Sequence, residues 1–299
     1  MIQTNQTLSI DVGGYTAHPI PTGIFGLDGG AMFGTVPKVL WQKTNPADEL
    51  NRIPMEARAL LLISKDQKIL IDTGNGADFQ EKYGEAAGKK FQEIYSIDEN
   101  GPTLLKSLNK YNLSADDITD VILTHFHFDH AGGATKFENG KIVPTFKNAT
   151  YYVQGSNLKN ALNPNKREKA SYLKANIEPL IEAKKLVILD SNRHPHLKNI
   201  SFHISNGHTE GHQSVQIADE DTQLIYCGDL IPTSTHVRSS WVMGYDLHPG
   251  QLMEEKKQIL QISQNKKTYY FFEHDPYCDM ATVIPDKDEF KVEERYWMK

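Results

Sequence analysis

Three imidazoles and a carboxylate fall within six residues, His125-Phe126-His127-Phe128-Asp129-His130, immediately after the apolar run Asp120-Val121-Ile122-Leu123-Thr124. No other segment restricts the fold as much, because so dense a polar cluster beside a buried strand calls for partners from elsewhere in the chain. On an extended segment, alternation puts His125 and His127 on one side. A turn into a helix then carries Asp129 and His130 round to a second position, so that one loop can serve two adjacent metal sites. Imidazole and carboxylate without thiolate suit zinc, and iron or manganese also fit.

Further ligands are available after later apolar runs. His212, in Gly207-His208-Thr209-Glu210-Gly211-His212, would complete a three-histidine set with His125 and His127. Asp229, in Cys227-Gly228-Asp229, can bridge two ions, and His274, in Phe272-Glu273-His274-Asp275, would join Asp129 and His130. By spacing alone either His208 or His212 can be the ligand. His194, His196 and His248 read as non-ligating.

The runs Ala59 to Ile63, Lys68 to Ile71, Asp120 to Thr124, Thr150 to Val153, Leu186 to Leu189, Leu224 to Cys227 and Thr268 to Phe272 read as strands. Pro102 to Asn109, Arg167 to Lys184 and Pro249 to Ser263 read as helices. This alternation is that of layered α/β packing. With no repeat or Pro/Gly-rich linker, residues 1–299 are expected to form a single domain, with excursions near 75–101 and 155–196. Asp72, His125, Asp229 and His274 each follow an apolar strand at once or nearly so, which gathers them at one end of a sheet, where α/β folds build sites.

Two cysteines, Cys227 and Cys278, match neither a disulfide framework nor a thiolate cluster and read as small core residues. A net charge of −6 demotes nucleic acid as a partner. Met1 to Thr7 has no basic or apolar leader character and no run approaches a membrane span, so a cytoplasmic protein without a membrane partner is expected. Its assembly is open, a homodimer included.

The ligand pattern resembles the metallo-β-lactamase superfamily, whose His-x-His-x-Asp-His signature and later His, Asp and His match His125, His127, Asp129, His130, His212, Asp229 and His274. The resemblance runs from about Leu60 to His274. It implies a four-layer αβ/βα sandwich holding two divalent ions, with the second histidine of the Gly-His-Thr-x-Gly-His segment, His212, as the ligand. It also implies that Asp72, in Ile71-Asp72-Thr73-Gly74, orients a ligand histidine. Water between two such ions becomes a nucleophile near neutral pH. Asp129 is then the catalytic candidate, holding the nucleophile and passing a proton to the leaving oxygen.

Within the superfamily the chain is most similar to quorum-quenching lactonases that open N-acyl homoserine lactones. His127 to Gly133, Gly211-His212-Gln213-Ser214 and the loop Leu27 to Gly34 carry that similarity. It implies a small-molecule lactone or ester substrate, with Met32, Phe33, Phe128 and Trp241 as an apolar wall for the acyl tail. Pro232 stands where several of those lactonases carry a tyrosine, three residues after the bridging aspartate, and His236 is the candidate for the electrophilic helper. Asp229 argues against a zinc β-lactamase, and only 25 residues follow His274, too few for the helical module of a glyoxalase-II-like thioesterase. A phosphoester or aryl-ester hydrolase is the alternative, and an iron redox enzyme on the same scaffold is the alternative from another class.

Overall fold

The computed structural model describes residues 6–262 and 266–299. Met1 to Asn5 and Ser263 of the sequence expectations lie outside them. The chain divides into two compact units, one of Met1–Pro19, Leu27–Met55 and Ser191–Lys299, the other of Ile20–Gly26 and Glu56–Asp190. The strands Tyr15–Asp28 and Arg52–Ile63 contribute residues to both.

In the first unit a seven-stranded sheet runs in the order Gln6–Leu8, Glu289–Met298, Met280–Asp286, Lys267–Phe271, Thr222–Tyr226, His212–Ala218 and Ile200–Ser205. Its helix Pro249–Ile262 buries Leu252, Ile259 and Leu260 on one face. Those side chains join Ile225, Cys227, Tyr270 and Phe272 in one apolar cluster. Thr222–Tyr226 and Lys267–Phe271 pair in parallel. Their carboxyl ends therefore lie at one sheet edge, and the chain delivers Asp229 and His274 just beyond it.

The second unit repeats this logic. Leu186–Leu189, Thr150–Gln154, Asp120–Ile122, Lys68–Ile71 and residues 56–63 are successive neighbours in its sheet. Leu61, Leu70, Val121 and Tyr151 lie in one core cluster, while Leu60, Leu62, Ile69 and Ile71 are equally buried outside it. A strand buried on both sides reads as a continuous apolar run, which is why these were legible. Lys68–Ile71 and Asp120–Ile122 pair in parallel, so Asp72 and the histidine-rich loop leave the same edge.

One expectation changes. Arg167 to Lys184 is not one helix: it holds the 3-10 turn Lys174–Asn176 and the helix Glu178–Glu182, with Pro179 in its first turn. The preceding residues are drawn instead into backbone pairing with the ligand loop, where Phe128 N–H donates to Ser171 O at 3.0 Å and His127 bridges Tyr172. The excursion near 75–101 is ordered as the helices Phe79–Tyr83 and Glu85–Tyr95. No helix among the described residues is long and apolar enough to cross a membrane.

Candidate metal-ligand clusters

Asp72 organises the cluster of the second unit. It sits in the left-handed region, φ 57°, which places its carboxylate under the loop that follows Asp120–Ile122. That carboxylate accepts from Thr124 N–H at 2.7 Å and from Thr124 O–H at 2.6 Å, and lies 3.0 Å from His130 Nδ1. A carboxylate in this position can only accept, so Nδ1 of His130 carries the proton and Nε2 presents the lone pair. The Thr124 hydroxyl, its proton committed to Asp72, accepts in turn from His125 Nδ1 at 3.0 Å, which fixes His125 in the same tautomer. Ring centroids lie 4.4 Å apart for His125 and His127 and 4.0 Å apart for His125 and His130. All four ligand candidates of this loop are buried.

The ligand helix Phe128–Ala131 is pinned against the Asp72 loop by Thr73 N–H to His130 O, 2.7 Å, and Gly133 N–H to Gly74 O, 3.0 Å. That approach explains the glycines that follow: a Cβ on Gly132 would lie 2.1 Å from the Asn75 carbonyl oxygen. Lys82, buried in the excursion, donates to the Gly132 and Thr135 carbonyls and so closes the far end of the ligand segment. Burial lowers the Lys82 pKa to about 8, against a smaller upward pull from Asp78.

In the first unit Asp229 stands between two imidazoles. Its Oδ2 is 3.2 Å from His208 Nε2 and its Oδ1 is 3.2 Å from His274 Nε2. His208 is turned this way by Asp246, whose Oδ1 lies 2.9 Å from Nδ1 and holds the proton there. His212 does not take this place. Its Nδ1 faces Ser205 Oγ at 2.9 Å and its Nε2 accepts from the Asp229 backbone N–H at 3.1 Å. The geometry therefore selects His208, where the resemblance had selected His212. Spacing left the pair open, and the deciding carboxylate, Asp246, lies 38 residues away.

Of the expected substrate residues of the first unit, Met32, Phe33 and His236 are buried. Phe33, with no exposed surface, stacks between Trp41 at 5.2 Å and His236 at 4.7 Å, with Trp241 edge-on at 5.8 Å. Met32 is buried, and its carbonyl oxygen lies 2.9 Å from His236 Nε2. Thr233 Oγ1 occupies His236 Nδ1 at 2.7 Å. Burial drives the His236 pKa down to about 3, so this ring is a neutral strut with both nitrogens engaged. It is not placed as an electrophilic helper. Trp241 is half-buried, its carbonyl accepting from Lys256 at 2.6 Å.

Phe128, in the second unit, is covered by residues the sequence reading missed. Phe91 and Tyr95 of the helix Glu85–Tyr95 rest on it with centroids 4.8 and 4.6 Å away. Burial first and the charge of Asp129 second push the Tyr95 phenol up to about 12. Only the aromatic spacing of that helix, Phe91 and Tyr95 four residues apart, could have signalled this face.

Each donor set fits divalent metal: imidazoles, with His125, His130 and His208 each held through Nδ1 by an oxygen acceptor, and carboxylates beside them, without thiolate. Comparison with known proteins agrees. Residues 54–274 match the family described as the metallo-beta-lactamase superfamily. The N-acyl homoserine lactonase AiiA of Bacillus thuringiensis subsp. kurstaki is 24% identical over 221 residues, 72% of this chain and 79% of that protein. The crystal structure of a probable metal-dependent hydrolase from Staphylococcus aureus is similar at 29% identity and a TM-score of 0.84, covering 96% of this chain and 98% of that one. AidC, a dizinc quorum-quenching lactonase, shares the fold at 22% identity and a TM-score of 0.75 over 99% of both chains.

Proposed function

Since the chain belongs to the metallo-β-lactamase superfamily of hydrolases, we propose that it is a dinuclear metal-dependent lactonase whose substrates are N-acyl homoserine lactones. The observation that carries this reading is the Asp229 carboxylate with one oxygen toward His208 and the other toward His274, the arrangement a bridging ligand requires. In the second unit His125, His127, Asp129 and His130, and in the first His208, Asp229 and His274, are the residues that would hold metal. Zinc suits this imidazole and carboxylate set. The family match runs through segments of both units, which supports treating residues 1–299 as one functional module.

When bound, two such ions supply Lewis acidity and a water acidic enough to act as a nucleophile near neutral pH. The protein's own part is orientation. Asp72 fixes His130 directly and His125 through Thr124, and Asp246 fixes His208. Asp129, beside the ligand histidines in the chain, would hold the nucleophile by a hydrogen bond and hand a proton to the departing oxygen. Phe128, Phe91 and Tyr95 supply an apolar surface suited to an acyl tail more than to a multiply charged phosphate.

The test is turnover of acyl homoserine lactones, δ-lactones, aryl esters and phosphotriesters by zinc-loaded protein. Homoserine lactones are expected to be the best substrates, improving from short to medium acyl chains. Efficient phosphotriester turnover without lactone turnover would overturn the reading.

A further inference from the structure

Resting on that lactonase reading, we propose that Tyr95 donates a hydrogen bond to the leaving oxygen of the substrate, the electrophilic role that neither Pro232 nor His236 can fill. Pro232 has no side-chain donor, and the two ring nitrogens of His236 are taken by Thr233 and the Met32 carbonyl. Tyr172, the other tyrosine against the ligand loop, is buried edge-on to His127 at 4.7 Å, and its hydroxyl oxygen accepts from the Asn157 and Asn160 amides. Tyr95 differs: among the described residues no hydrogen bond ties its hydroxyl, and the side chain is only half-buried.

Its position is well defined. Phe91, one turn earlier, is packed by Phe79 at 5.7 Å and Tyr83 at 5.5 Å, so a cluster of rings fixes this end of the helix. The helix stops at Tyr95 because Ser96 turns left-handed, φ 47°, while its N–H caps Gln92 O. The Tyr95 ring is thereby laid on Phe128, the residue between His127 and Asp129. A tyrosine phenol is neutral near pH 7 and donates its proton.

Ring opening breaks the bond between the acyl carbon and the ring oxygen, and the electron pair goes to that oxygen. A donor aimed there stabilises the charge that develops on that oxygen in the transition state, until Asp129 hands the alkoxide its proton. An aliphatic alkoxide leaves poorly and needs such a donor, whereas an aryl oxide leaves well without one. The role therefore makes a leaving-group prediction.

The experiment compares zinc-loaded wild type with Tyr95→Phe and Tyr95→Ala, using a homoserine lactone and an aryl ester of equal acyl length. Tyr95→Phe is expected to lower kcat for the lactone by about 100-fold, the effect of one oxyanion-type donor, with KM, metal content and melting temperature unchanged and aryl-ester turnover nearly kept. Calorimetric affinity for the unreactive homoserine lactam should match wild type in Tyr95→Phe and weaken in Tyr95→Ala, which also loses the ring. Equal losses on both ester classes, or an unchanged lactone kcat, would overturn the role of Tyr95 while leaving the lactonase reading intact. Wild type inactive on lactones and aryl esters alike would overturn both.

Discussion

At the scale of single residues, the choice between His208 and His212 rests on what each ring nitrogen touches. His208 presents Nε2 to the Asp229 carboxylate because Asp246 holds its other nitrogen, whereas His212 supports the Asp229 backbone. His208→Ala is therefore expected to weaken one ion by more than about 100-fold, beyond the 10–100-fold cost of losing an orienting partner. His212→Ala should cost no more than that range. Ions retained per chain after graded chelator dialysis decide it, and a larger loss in His212→Ala would reverse the assignment. Such a distinction was not legible in Gly-His-Thr-x-Gly-His, because the two histidines differ only in partners contributed by distant segments.

At the scale of elements, the short helix Gly29–Phe33 is built as a support. Asp28 caps it by accepting from Ala31 N–H at 2.8 Å, and Gly34, φ 54°, ends it where a Cβ would lie 3.0 Å from the Val242 carbonyl oxygen. Its product is the buried stack of Trp41, Phe33 and His236. Phe33→Ala is accordingly expected to destabilise the fold by about 3–5 kcal/mol while leaving KM near its original value. Denaturant unfolding beside lactone kinetics checks this; a raised KM with undiminished stability would return Phe33 to the substrate wall. The loop looked like a wall from sequence because apolar side chains near glycines suit a pocket and a core equally. The excursion near 75–101 went the other way: its polar composition concealed a helix whose aromatic face, Phe91 and Tyr95, packs on the ligand loop.

At the scale of the whole molecule, metal binding should be linked to stability, since the candidate ligands of each unit, His208, Asp229 and His274 above all, come together only in the folded chain. Metal at roughly 100 to 1,000 times its dissociation constant adds about 2.7 to 4.1 kcal/mol. For 299 residues that corresponds to a melting temperature higher by about 4–7 °C. Calorimetry of zinc-loaded and chelator-treated protein measures the difference. No shift on chelation would sink the proposal that the folded chain holds these ions.

What the sequence determined by itself was whatever is local or periodic. The strands with both faces buried appear as uninterrupted apolar runs, and the dense loop His125 to His130 declares its chemistry in six residues. Asp72 was also legible, since it follows its strand at once and needs no distant partner to be noticed. Only the tertiary structure decided that His125, His130 and His208 are each held through Nδ1, that Asp246 turns His208 toward Asp229, that Phe33 and His236 form a buried stack, and that Tyr95 comes to rest beside the ligand loop. Those outcomes depend on contacts between residues tens of positions apart, whose pairing follows from how parallel strands bring their ends to one edge rather than from any spacing along the chain.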